Sequence, residues 1–473
     1  MSFQSLAFLA FLAAAVLLSR GLGRMRLSAG KTALLLCCLY FCAQSGWRGF
    51  AVLALGTAVS YLAAPRLAPG AKGGRRLFPA AMGYHILVLL GFKYLGFLTG
   101  GAVAVPFVPL GLSFFTFQQL WYLKECHRGE TAPAASLPDF LLYSFFFPTL
   151  SSGPILKPEA FLPQLTGERF LRPDGRDCAA GLYALGCGLC KKMLLADPLG
   201  VVVGNGWEHL TELSAVSAWF VILGYTLQLY FDFSGYCDMA AGCARLLGIR
   251  LPVNFDSPYL SLSVTEFWKR WHMTLTSFLR QCVYFPLGGS RKGPGRTYLN
   301  ILLVFLLSGF WHGAGWTFLL WGVLHGLAQV TERLWGGRRD RLPAFLRWAL
   351  TFAFVNLAWV FFRAPDVPSA LALLRQALTG GILKPEDWLV DNLFRREGAA
   401  VAILLPALEP WLNRLKLGLL FLAGTVAALL PGNTIRRMDT FRPTLWRALL
   451  LSLGSAWAIL SFTGVGNFLY SNF

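Results

Sequence analysis

Charge is scarce in this chain. Only 14% of its 473 residues are Asp, Glu, Lys or Arg, and acidic side chains are the scarcer kind, 23 against 42 basic ones. No polar stretch is long enough for a soluble domain, no internal repeat is visible, and the only compositional oddities are two basic turns at 65–77 and 333–341. Histidine is rarer still, with six. No GxSxG elbow, HExxH pair or Walker loop occurs, which removes the usual serine-hydrolase, zinc-protease and P-loop chemistries. The ten cysteines show no disulfide spacing, and Cys37, Cys38, Cys187, Cys190, Cys237 and Cys243 lie in or beside apolar runs, where they act as small hydrophobes. Cys187 and Cys190 form a CxxC, but no second pair or nearby His completes a ligand set and Lys191–Lys192 would oppose a cation, so no metal site is expected.

What fills the chain instead is hydrocarbon: 56% hydrophobic residues and a mean hydropathy of +0.55. Apolar runs near 3–19, 32–45, 49–64, 78–99, 105–123, 139–156, 179–204, 214–231, 299–320, 345–362, 399–430 and 444–464 are mostly close to the ~20 residues a helix needs to cross a bilayer, though several are short or interrupted by Gly and Pro. The expectation is an all-α polytopic membrane protein of roughly a dozen spanning, re-entrant and interfacial helices, forming a single membrane domain over 1–473. The net charge of +19 is scattered among these runs, so it reads as topology and not as a nucleic-acid surface. Arg20, Arg24, Arg26 and Lys31 follow the first run and Arg66, Lys72, Arg75 and Arg76 the third, whereas the turn at 46–49 holds only Arg48. That alternation puts the N-terminus outside. The first run lacks a basic leading segment and a small-residue cleavage site, so it reads as a retained span.

Region 251–296 differs in texture. Ser263-Val-Thr-Glu266 has the form of a capping box and predicts a helix start. Phe267, Trp271, Leu275, Phe278 and Cys282 then follow one helical face, with Glu266, Lys269, Arg270, Ser277 and Arg280 on the others, as in a helix that lies at the interface or dips in from it. The loop Pro286-Leu-Gly-Gly-Ser-Arg-Lys-Gly-Pro-Gly-Arg296 is basic and glycine-rich. It is either a plain positive-inside loop or, with Lys269, Arg270, Arg280, Arg291 and Lys292, the binding surface for a phosphorylated donor such as coenzyme A. Farther on, 368–378 reads as an amphipathic helix before a polar loop at 380–398.

Three histidines carry the functional argument, because an ionisable group in an apolar stretch is costly. His272 follows Trp268 by four residues, so a stacked, packed imidazole is the alternative to a functional one. His312 and His325 are thirteen residues apart, which on an unbroken helix rotates them by about 220° and puts them on nearly opposite faces. Gly309/Gly313 and Gly322/Gly326 are GxxxG pairs, the spacing at which helices approach closely. His312 precedes Gly313-Ala-Gly315, where the helix has reason to break, and is the strongest candidate; His325 is secondary. The simplest role for such a histidine is general base, taking a proton from a hydroxyl as its oxygen attacks a thioester. Asp232 and Asp238 read as structural carboxylates paired with basic residues near 269–280.

Asp232-Phe-Ser-Gly-Tyr-Cys-Asp-Met-Ala-Ala-Gly242, Asn254-Phe through Pro258-Tyr-Leu-Ser261, Glu266-Phe-Trp-Lys-Arg-Trp-His272, Pro286-Leu-Gly-Gly-Ser-Arg-Lys-Gly293 and Ser308-Gly-Phe-Trp-His-Gly-Ala314 closely resemble the membrane-bound O-acyltransferases, in particular the bacterial branch typified by the alginate O-acetylation protein AlgI. Pro109 to Gln118, Phe147 to Pro154 and Trp359 to Ala364 resemble further landmarks, so the likeness spans a motif core of about 105–365. It implies His312 as the catalytic histidine and His272 as the second member of the pair. It also implies helices ringed around a central pore or funnel, no bound cofactor, acetyl-CoA as cytoplasmic donor, an extracytoplasmic SGNH-type partner and a cell-surface or secreted polysaccharide as acceptor, in a bacterial plasma membrane. The chain departs from the pattern at Gln281, where Asp is common, at His127, where Tyr is usual, and at Thr149-Leu-Ser-Ser152. Two other readings stay open: D-alanyl transfer to teichoic acid from a carrier-protein thioester, against which the Pro286-Leu-Gly-Gly-Ser-Arg loop stands, and a proton-coupled transporter or flippase.

Overall fold

In hydrocarbon a backbone N–H or C=O finds no water, so an apolar run must bond its own peptide groups, which only a helix does within one segment. The computed structural model describes residues 3–71, 74–381, 384–462 and 469, and every regular element among them is helical. Seven helices are long and apolar enough to cross a membrane. That is fewer than the dozen runs in the sequence, for two reasons. Some runs are short: Leu27–Ala43 and Leu445–Leu460 have 17 and 16 residues, and the run at 139–156 supplies only the nine-residue helix Leu137–Phe145 before the chain leaves helical geometry. Others are too short and too polar, as in the 17-residue Leu112–Arg128, which carries Lys124, Glu125 and Arg128 and has fifteen residues buried.

The chain runs back and forth through helices α1 (Leu6–Met25), α2 (Leu27–Ala43), α3 (Trp47–Leu67) and α4 (Gly74–Leu89). It then passes through α5 (Leu112–Arg128), α6 (Gly175–Cys190), α7 (Asp197–Glu208) and the 32-residue α8 (Ala215–Leu246). α8 is the central post, with 72% of its most apolar window buried inside the protein. Two short helices, α9 (Val264–Arg270) and α10 (Met273–Leu279), precede α11 (Pro294–His312), α12 (Trp316–Trp335) and α13 (Ala344–Arg363). The amphipathic helix expected at 368–378 is present as Val367–Thr379. The run at 399–430 is divided into Arg395–Leu404, a 3-10 turn and Leu412–Leu429.

Basic residues collect at one end of this bundle. There Arg172 donates to the Gly23 carbonyl at the end of α1, Lys31 pairs with Asp139 at 2.6 Å, Arg245 at the end of α8 pairs with Asp177 at 2.9 Å and Asp439 at 2.8 Å, and Arg436 pairs with Asp256 at 2.9 Å. Following the helices, the N-terminus of α11 and the C-terminus of α12 lie at the same end, with Arg291, Lys292 and Arg338. Lys72 lies outside the described residues.

The two carboxylates of α8 are structural, but their partners are not those expected. Asp232 pairs with Lys192 at 2.6 Å and Asp238 with Lys191 at 2.7 Å. Both lysines open the π-helical stretch Lys191–Ala196 between α6 and α7, which packs on α8. Arg270, by contrast, is satisfied by Glu266 one turn earlier in its own helix, at 2.7 Å. Removing one member of a pair buried this deeply leaves a lone charge and costs about 3–5 kcal/mol, whereas replacing both by apolar groups is close to neutral. Lys192 also pairs with Asp197 at 2.8 Å, so Lys192→Met is expected to lower the unfolding temperature in detergent sharply and the triple variant Lys192→Met/Asp232→Leu/Asp197→Asn to restore most of it, as thermal scans will read.

Candidate active site

The capping box forms: the Ser263 hydroxyl accepts from the Glu266 N–H at 2.8 Å, and Glu266 reaches back to the Leu262 N–H at 2.9 Å. A second carboxylate, Glu332 of α12, accepts from the N–H groups of Val264 and Thr265, so the start of α9 is tied across the fold. The single helix expected from 263 to 282 does not form. Trp271 is extended (φ −106°, ψ 130°) and His272 left-handed (φ 44°, ψ 54°), separating α9 from α10. A non-glycine residue held there costs on the order of 1–3 kcal/mol and persists only when its surroundings over-determine it.

Here the surroundings are Asn254. Its carbonyl accepts from Met273 N–H at 3.0 Å, and its side-chain Oδ1 accepts from Thr274 N–H at 3.1 Å and Thr274 Oγ1 at 2.9 Å. The segment therefore dips into the protein instead of lying along its surface: Phe267, Trp271, Leu275 and Phe278 are all buried, as is His272 at 0% exposure. Cys282, the last member of the expected face, is only half-buried. The break also separates His272 from Trp268. The rings around His272 are Phe233 at 4.8 Å, Phe114 at 6.1 Å and Trp311 at 6.2 Å, while Trp268 turns to His325, donating its Nε1–H to Nδ1 at 3.1 Å.

α11 ends at His312, and Gly313 and Gly315 are extended before α12 starts at Trp316. With the helix broken, the opposite-face geometry does not apply: the hairpin brings His312 and His325 to the same tryptophan, Trp321, at 5.2 and 4.9 Å. Trp311 in turn touches both His312 and His272. All three histidines thus meet in one aromatic cluster. The two GxxxG pairs make the hairpin tight. A Cβ on Gly309 would sit 2.3 Å from the Phe318 carbonyl oxygen and one on Gly322 2.4 Å from that of Phe305, so neither position admits a side chain without moving the helices apart.

Lys93 was not anticipated. It lies in the π-helical turn Leu90–Tyr94 that follows α4, and its ammonium donates to the Trp311 carbonyl at 2.6 Å, the His312 carbonyl at 3.4 Å and the Ser113 hydroxyl at 3.1 Å. The Tyr94 hydroxyl also donates to the Trp311 carbonyl, at 2.8 Å. These are carbonyls that the end of α11 leaves without intrahelical partners, and a cation there also suits the helix dipole. The signal was available: Lys93 sits in the run 78–99 and meets the criterion that singled out the histidines.

The five expected donor-binding cations lie in different surroundings. Arg280 lines a cavity of about 190 Å³ with Trp268, Leu275, Phe305, Ser308 and, on α12, Arg333. Arg270 is engaged by Glu266, and Lys269, Arg291 and Lys292 are exposed. The glycine-rich loop is pinned by Asn300, which donates to the carbonyls of Leu287 and Gly289. A second cavity, about 430 Å³, opens on the other side of α10 between Lys157, Arg250, Met273 and Thr274. At the opposite end of the bundle, Gly96, Phe97, Leu98, Gly100, Gly101 and Trp316 line a vestibule of about 600 Å³. Among the described residues no group of His, Cys, Asp and Glu could hold a metal ion.

Residues 110–364, more than half of the chain and a span that holds the three histidines and the five expected cations, match the family model described as MBOAT, membrane-bound O-acyltransferase family. The chain belongs to the membrane-bound O-acyltransferases. It is 35% identical over 359 residues to the probable alginate O-acetylase AlgI of Pseudomonas putida, covering 71% of each chain. It is 42% identical over 296 residues to the peptidoglycan O-acetyltransferase of Helicobacter pylori, covering 57% of this chain and 56% of that one, so it spans little more than half the length of that relative. More distantly, it is 26% identical over 270 residues to the teichoic acid D-alanyltransferase of Bacillus subtilis, covering 54% of this chain and 68% of the other.

Leaving buried carbonyls without a donor costs about 1–3 kcal/mol. Lys93→Met is accordingly expected to destabilise this O-acyltransferase-family protein by about that amount. It should also loosen the end of α11, which limited proteolysis or hydrogen exchange at 309–315 will register while exchange in α6 and α8 stays at its wild-type level.

Proposed function

We propose that this protein is a multi-pass O-acyltransferase of a bacterial plasma membrane that takes acetyl from cytoplasmic acetyl-CoA and passes it across the membrane for O-acetylation of a cell-surface or secreted polysaccharide, with an extracytoplasmic SGNH-type partner completing the transfer. The observation that carries this reading is the buried histidine cluster at the two helix breaks, with a cation-rimmed cavity at the basic end of the bundle and a vestibule at the other. His312 is the catalytic histidine and His272 its companion; His325 has a secondary role behind Trp321. In the chemistry proposed, the attacking hydroxyl oxygen forms the new bond to the acyl carbon while the C–S bond breaks. The imidazole takes the hydroxyl proton and returns it to the departing thiolate. Burial removes water that would hydrolyse the thioester.

Arg280 and Arg333 at the rim of the 190 Å³ cavity suit the phosphates of coenzyme A, with Leu275, Phe305 and their neighbours taking the apolar arm. The named relatives support acetyl over D-alanyl transfer, since the acetyl-transferring ones are the more similar. Against a transporter stands the engagement of Asp232 and Asp238 by lysines, which leaves the carboxylates expected of a proton path tied up as structural pairs.

Purified protein with acetyl-CoA and its acceptor or partner should release free CoA. His312→Ala is expected to insert and fold yet to slow release by about 10²–10⁴, with His272→Ala also impaired and His325→Ala milder; release at the wild-type rate without His312 would defeat the assignment. On the donor side, Arg280→Ala should raise the KM for acetyl-CoA more than it lowers kcat, as when ground-state binding is lost. Lys269→Ala, outside the cavity, should leave both unchanged in steady-state assays.

A further inference from the structure

The hydrogen bonds around Asn254 decide a property of His272 that burial alone leaves open. A backbone N–H can only donate, so the Asn254 atom facing Thr274 N–H at 3.1 Å is oxygen and the orientation of the amide is fixed. The Thr274 hydroxyl accepts from the Ile155 N–H at 3.1 Å and donates its own proton to the same Oδ1 at 2.9 Å. His272 Nδ1 lies 3.3 Å from that oxygen. Because Oδ1 has no proton to give, Nδ1 must carry one. The neutral ring is therefore the Nδ1–H tautomer, with its lone pair on Nε2. His325 is held the other way: Trp268 Nε1–H donates to its Nδ1 at 3.1 Å, so neutral His325 carries its proton on Nε2.

We propose that Asn254 is the positioning residue of the site, holding the strained His272 in the Nδ1–H tautomer so that Nε2 is the ring atom able to accept a proton. This rests on the reading of His272 as a member of the active pair. An amide is well suited to this role because it orients the ring by a neutral hydrogen bond. A proton gained at Nε2 gives an imidazolium that keeps its Nδ1–H bond to Asn254, so the ring need not turn during a cycle. Asn254 also spans the helix break through its backbone carbonyl, coupling ring orientation to the left-handed backbone of His272.

The test is nitrogen NMR of the full chain labelled with 15N-histidine in detergent or nanodiscs, with the His272 signals identified by their loss in His272→Gln. In the wild type Nδ1 should be protonated and Nε2 unprotonated; the opposite tautomer overturns the proposal without recourse to any variant. Asn254→Leu, of similar size but with no acceptor, should lose the tautomer preference and lower kcat by about 10–100-fold, as residues that orient functional histidines typically do when lost, with KM for acetyl-CoA nearly unchanged. Asn254→Asp, which keeps the oxygen, should recover the tautomer and most of kcat. An Asn254→Leu protein with unchanged tautomer and kcat also overturns the proposal. If instead His272→Gln retains full transfer activity, the reading of His272 as a member of the active pair fails, while the tautomer measurement still judges Asn254.

Discussion

A helix broken inside a membrane protein frees peptide groups that water cannot satisfy, and the arrangement of this protein's central site follows from that constraint. Two such breaks frame that site. At His272 the groups freed between α9 and α10 are taken by Asn254, whose backbone and side chain accept from Met273 and Thr274. At the end of α11 the carbonyls of Trp311 and His312 are taken by Lys93 and Tyr94. In both places the satisfying group comes from a distant part of the chain, so each break is stable only in the assembled fold. Each break also carries a histidine, because a chain that leaves helical geometry can aim a side chain along a direction that neither helix offers.

The rest of the core serves to hold the two breaks together. Trp311 contacts both His272 and His312, and Trp321 contacts both His312 and His325, so each indole is shared by two imidazoles. Large aromatic rings give this arrangement rigidity at a low entropy cost. Glu332 links the same hairpin to the start of α9, and Trp268 links α9 back to His325. The cation-rimmed cavity has its walls on these same elements, including Trp268, Arg280 and Arg333.

Much of this was legible in the residues. Hydropathy sufficed for an all-helical membrane protein, since a long unbroken apolar run can bond its own peptide groups only as a helix, and the scarcity of charge made His272, His312 and His325 conspicuous. The capping box at Ser263 and the glycines after His312 marked a helix start and a helix break where both occur. Three expectations failed for physical reasons. The helix from 263 to 282 is broken because Asn254 over-determines the conformation at His272. Asp232 and Asp238 take Lys192 and Lys191 because the π-helical stretch that carries those lysines packs on α8. His312 and His325 converge because the break between them folds their helices into a hairpin, which periodicity on an unbroken helix could not express.

By itself, then, the sequence determined what each segment could be: which stretches must be helical in lipid, where a helix begins, which glycines permit close approach, and which few ionisable side chains are too costly to be accidental. Those are properties of local chemistry against a fixed solvent. Partnership was decided only by the tertiary structure. That Lys93 caps a helix more than two hundred residues away, that Asn254 holds the ring of His272, and that Arg280 but not Lys269 faces a cavity all depend on contacts between segments remote in sequence. A buried polar group must be satisfied, but its own neighbours along the chain do not specify by what.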